Sequence, residues 1–75
     1  MATKKVFLTF PQRLIKDPVL YELVQRFEVQ TNIRGASVTE EIALVALQLD
    51  GAPQEIAAAV EHLKSQGVHV EHLDA

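Results

Sequence analysis

The run IALVALQL, residues 42–49, constrains the fold more than any other stretch of the chain. Neighbouring side chains of a strand point to opposite faces. Ala43, Val45, Leu47 and Leu49 therefore share one face, and Ile42, Leu44, Ala46 and Gln48 share the other. Both sets are largely apolar, yet helices can cover only one of them. Asp50 and Gly51 end the run.

The rest of the chain supplies the elements that this strand needs. KVFLTF (5–10) is rich in β-branched and aromatic residues and reads as a first strand. QRLIKD reads as a connector. Asp17 before Pro18 is an N-cap followed by a first-turn proline, so a helix is predicted from there. Leu20, Leu23, Val24 and Phe27 give it one apolar stripe. A second strand starts near Gln30 or Thr31 and ends near Val38, and TEE makes a hairpin turn into residues 42–49. Pro53 opens a second helix, with Glu55 in the first turn, where the helix dipole favours an anion. Ile56, Val60 and Leu63 form its stripe, and Gly67 stands just past its end. VHVEHL (68–73) is the fourth strand.

The order β-α-β-β-α-β is the ferredoxin-like arrangement, an α+β fold. Right-handed crossovers put both helices on one face of a four-stranded antiparallel sheet of order 4-1-3-2. The helix stripes are expected to pack on Val45, Leu47 and Leu49. Seventy-five residues make a single domain, 1–75, with 48% apolar content for its core. A chain this short buries only about 60% of its unfolded surface. The second face of the third strand, with Phe7, Ile42, Leu44 and Ala46, then reads as a contact surface for a second copy of the chain.

Composition narrows the function. There is no cysteine, hence no disulfide, thiolate metal site or redox centre. The opening MATKKVFLTFP is too short for a secretory core, and no apolar run reaches about 18 residues, so a cytoplasmic protein without membrane insertion is expected. The net charge of −3 leaves no basic face for a phosphate backbone. RNA-recognition domains share the element order, but they need aromatic and basic residues on strands one and three. The third strand here has neither, and Phe7 and Phe10 point to opposite faces. His69 and His72 are three positions apart on a strand and also oppose each other, with His62 on a helix, so no metal site is expected. Both helix starts carry acid and neither has a glycine-rich loop, which disfavours phosphate. Acylphosphatases use an arginine after strand one. Arg13 lies there, without a glycine-rich cradle around it. No catalytic set and no cofactor is expected.

The remaining irregularity is TNIRGASV, residues 31–38, where polar residues and a glycine interrupt an edge strand. Gly35 suits a bulge or a close backbone approach. Alternation sets Ile33 opposite to Asn32 and Arg34, so that the two polar side chains face out together if Ile33 enters the core. An amide donates and accepts, and a guanidinium grips a carboxylate with two bonds. Asn32, Ile33, Arg34 and Gly35 are therefore the candidate ligand site.

VFLTFP, DPVLYELVQRFEV, TNIRGASV, LQLDG and GVHVEHL occur in the order in which the NIL domain carries such segments. The chain resembles that family over nearly its whole length. NIL domains are small ferredoxin-like modules at the C-terminus of methionine-importing ABC transporter ATPases, and a similar module is fused to some ferredoxins. The signature Asn-Ile-Leu reads Asn32-Ile33-Arg34 here, and the hairpin after Val38 is short and lacks a glycine. The resemblance implies a regulatory module that senses a small, methionine-like amino acid through Asn32, or one that binds a protein partner. The chain carries no GxxxxGK ATPase motif, so it is expected to be a free-standing sensor or a piece of something larger. The alternative is an adaptor that docks through its sheet and takes no small molecule.

Overall fold

The computed structural model describes residues 1–73. Its elements are β1 (Ala2–Pro11), α1 (Gln12–Ile15), α2 (Val19–Arg26), β2 (Val29–Val38), β3 (Ile42–Gly51), α3 (Pro53–Gln66) and β4 (His69–His72). The sheet is antiparallel with the order β2-β3-β1-β4, which is the expected 4-1-3-2 read from its other edge. Both long helices lie on one side.

Strand alternation sorts β1 and β3 cleanly. Val6, Leu8 and Phe10 of β1 and Ala43, Val45, Leu47 and Leu49 of β3 are buried under the helices. α3 adds Ile56, Ala59, Val60 and Leu63, the i, i+3, i+4, i+7 stripe of a helix half sunk in a core. No polar side chain is buried among the described residues.

α2 departs from expectation. It begins at Val19, its N-cap is Pro18, and no side chain caps it. Val19 and Leu23 are its buried pair, while Leu20, Val24 and Phe27 are only partly covered. The face of α2 turned to the sheet is the one that carries Val19 and Leu23, and Phe27 lies past the helix as its C-cap. The segment read as a plain connector contains α1, which drives Leu14 into the core.

α3 ends in a Schellman motif. Gly67 sits at φ 102°, its N–H bonds Lys64 O at 3.0 Å, and the Val68 N–H bonds Leu63 O at 3.0 Å. At the helix's other end, a Glu55 carboxylate oxygen accepts the Glu28 N–H at 2.9 Å and ties the start of β2 to α3. Gly51 is needed at the same corner, because a Cβ there would stand 2.8 Å from Glu28 O. The β2–β3 hairpin closes on Thr39, whose N–H bonds Ile42 O at 2.8 Å and whose hydroxyl accepts the Ile42 N–H at 3.1 Å.

Candidate ligand site on the open sheet face

β2 forms one edge of the sheet, so its outer backbone row faces away from β3. Ile33 pairs with Leu47, but Gly35, not Arg34, pairs with Ala46. Arg34 is thus the extra residue of a β-bulge. The bulge resets the alternation. Before it, Asn32 stands beside Gln48 on the open face and Ile33 beside Leu47 on the helix side. After it, Ser37 joins Leu44 on the open face, and Ala36 and Val38 join Val45 and Ala43 on the helix side. Strict alternation would have put Val38 with Asn32.

Ile33 does not enter the core. It lies on the helix side of the edge strand and is 60% exposed. No atom lies within 4 Å of a Cβ built on Gly35, so the glycine serves the bulge and not a close approach within this chain.

On the open face a polar strip crosses three strands. The Thr3 hydroxyl donates to Asp50 Oδ1 at 2.6 Å. The Gln48 Nε2 donates to Asp50 Oδ2 at 3.1 Å, and Arg34 Nη1 donates to Gln48 Oε1 at 3.3 Å. These bonds hold the Asp50 carboxyl below its ordinary value. Thr3 contributes most, then Gln48; desolvation works the other way, and the Asn32 side chain adds the smallest share. The Asp50 carboxylate is joined through the Gln48 amide to the Arg34 guanidinium. Such a strip can hold a group with both charges.

Beside the strip runs an apolar row. Phe7 pairs with Ala46, Thr9 with Leu44 and Pro11 with Ile42. The four residues read as a contact surface do share one face. Ile42 is 39% exposed, and Phe7, Leu44 and Ala46 are half-buried by their neighbours in the sheet.

The other weighed groups are placed elsewhere. His69 faces Glu71, with Nε2 3.7 Å from its Oε1, and His62 packs against the Phe27 ring at 5.5 Å between centroids. No cluster of three or more metal-ligating side chains occurs among the described residues. Arg13 is turned to the end of α3, donating to Gln66 O at 2.8 Å. No helix of the described residues is long and apolar enough to cross a membrane.

The family model of the NIL domain matches residues 4–72. The chain belongs to the NIL domain family. The C-terminal domain of an ABC transporter / ATP-binding protein from Enterococcus faecalis has the same fold, with a TM-score of 0.81 and 28% identity over 93% of this chain and 82% of that one. The de novo designed protein Ferredog-Diesel matches at a TM-score of 0.54 and 14% identity over 93% and 84%, which speaks to the fold alone. No curated protein sequence matches the chain.

In this NIL domain, Asn32 stands opposite Gln48 and the bulged Arg34 reaches the same Gln48, whereas Ile33 faces the other side without entering the core. Thr3, Gln48 and Asp50 complete the strip and were not singled out from the sequence. The signal available was the polar ending of β3's open set, since Gln48 and Asp50 follow Ile42, Leu44 and Ala46 at alternate positions. Only the register shows that they lie against Asn32 and Thr3.

Proposed function

We propose that this NIL domain is a non-catalytic regulatory module that senses a small amino-acid-like ligand, methionine-like by family, through Asn32 and Arg34. The observation that carries this reading is the polar strip: an arginine, two amides and an ionised aspartate on one face, beside an apolar row. The head group would lie on the strip and an apolar side chain on Ala46 and Phe7. β2 is an edge strand, so the site borders a surface open to a second copy, and we read the working form as a cytoplasmic homodimer. The similarity to the C-terminal domain of an ABC transporter / ATP-binding protein supports a regulatory role alongside such an ATPase.

Thermal unfolding against a panel of amino acids tests it. Ligand at about 100 times its Kd should stabilise the fold by about 2.7 kcal/mol. Asn32→Ala should abolish that response while leaving ligand-free stability within about 1 kcal/mol, as for a surface change. An equal response in the variant removes the site.

A second reading is favoured by the row Phe7, Leu44, Ala46 and Ile42, which is a docking surface whether or not a small molecule binds. In that case the domain is an adaptor, and no amino acid shifts its melting temperature.

A further inference from the structure

The Gln48 carboxamide has an unusual position. Its oxygen accepts from Arg34 Nη1 at 3.3 Å, and its nitrogen donates to Asp50 Oδ2 at 3.1 Å and Oδ1 at 3.4 Å. One small planar group thus spans a cation and an anion, acceptor end to the cation and donor end to the anion. An α-amino acid head group has the same polarity, with carboxylate oxygens at one end and an ammonium at the other. Only one further carbon separates its oxygen from its nitrogen. Both of its ends carry full charge, so each bond it makes is stronger than the one the neutral amide makes.

We propose that Asp50 is the ammonium acceptor of the head-group site, that Arg34 is its carboxylate donor, and that the Gln48 side chain is an internal stand-in which the ligand displaces. This rests on the amino-acid reading above and adds the polarity of the site and its built-in competitor. Three features support it. Thr3 holds the Asp50 carboxylate from the β1 side at 2.6 Å, so the acceptor stays fixed when Gln48 leaves. The bulge is what carries Arg34 out of ladder register and lets it reach over the strand to Gln48. Gln48 is on the open face, so its side chain can swing into solvent without opening the core.

The competitor has a functional consequence. Affinity for a zwitterion is lowered by the stability of the resting Gln48 bridge, so the site responds only to a ligand that offers both charges at once. A ligand with a single charge breaks the Gln48 bridge at both of its ends and replaces only one of them.

Isothermal titration of the whole chain with L-methionine, with its deaminated acid and with its decarboxylated amine tests this. The parent should bind the amino acid and lose roughly tenfold or more with either truncated compound, the effect of one hydrogen bond to a charged group. Asp50→Asn should remove the discrimination against the deaminated acid. Gln48→Ala should bind L-methionine several-fold tighter than the parent. Equal binding of the amino acid and the deaminated acid by the parent overturns the role of Asp50. Weaker binding by Gln48→Ala makes Gln48 a contact and overturns the stand-in. If neither the parent nor Gln48→Ala binds any of the three, the amino-acid reading falls, and the polarity assignment with it.

Discussion

The guanidinium of Arg13 lies against Gly67, and its Nη2 donates to the carbonyl of Gln66 at 2.8 Å. A residue from α1, early in the chain, thereby closes the C-terminus of α3, where helix carbonyls lack partners and the dipole favours a cation. Gly67 is held by two requirements. Its φ of 102° suits glycine, and a Cβ would stand where the Arg13 guanidinium is.

These requirements are separable. Gly67→Ala should cost about 1–2 kcal/mol for the left-handed backbone and a further ~1 kcal/mol for the displaced arginine bond. Arg13→Ala alone should cost about 1 kcal/mol. In the double variant the second loss is counted once, so its destabilisation should fall short of the sum of the singles by roughly 0.5–1 kcal/mol. Urea unfolding of the four proteins measures this, and strict additivity would show that Arg13 and Gly67 act independently.

Leu47 is 1% exposed at the centre of the core. Leu47→Ala should cost about 2–5 kcal/mol, a large part of what so small a domain has. Leu44→Ala, three residues away on the open face, should cost clearly less. Chemical denaturation that ranks Leu44 above Leu47 would contradict the facing of β3.

Asp50 gives the stability an acid limb. Its folded pKa lies below the ordinary 3.8, so the unfolded state binds more protons in that window and stability rises with pH there. The contribution is present above the unfolded pKa and is lost as pH falls through the folded one. Melting temperatures recorded down an acid series should therefore fall less steeply for Asp50→Asn than for the parent. Parallel curves would mean that the Thr3 and Gln48 bonds do not stabilise the anion in solution.

Two surfaces invite a second copy, and charge substitution tells them apart. Ile33, 60% exposed on the edge strand, and Leu44 on the open face lie on opposite sides of the sheet. Ile33→Lys should weaken a dimer built on the β2 edge, and Leu44→Lys one built on the open face, each by setting an unpaired charge at a contact. Sedimentation velocity of both variants reads the answer. A parent that sediments as a monomer at tens of micromolar removes the dimer and leaves the adaptor reading.

Much of the fold was legible because apolar periods are local. The stripe Ile56, Val60, Leu63 and the alternation of residues 42–49 each announce an element within a dozen residues. The N-terminal cap of α2 was misread, since Asp17-Pro18 fits a helix start equally well one residue earlier. α1 is a single turn, too short for a period to show. The polar strip was half legible. Asn32 and Arg34 were singled out from the sequence, although Arg34 reaches the strip through the bulge, whereas Thr3, Gln48 and Asp50 join them through a register that pairs Thr3 with Asp50 and Asn32 with Gln48. Nothing local encodes that register, and the bulge at Arg34 changes the parity of everything after it.

The sheet order also bears on how the chain leaves the ribosome. β1 and β2 are not neighbours, and both pair with β3, β1 from Ala2 opposite Gly51 to Pro11 opposite Ile42. A nascent chain that has not yet reached Ile42 therefore carries two ten-residue strands with no partner for either. Pairing across the short Thr39 turn comes at little loop-closure cost, whereas β1 must wait for that hairpin to offer it an edge. The first strand to be made is, by this topology, among the last able to join the sheet.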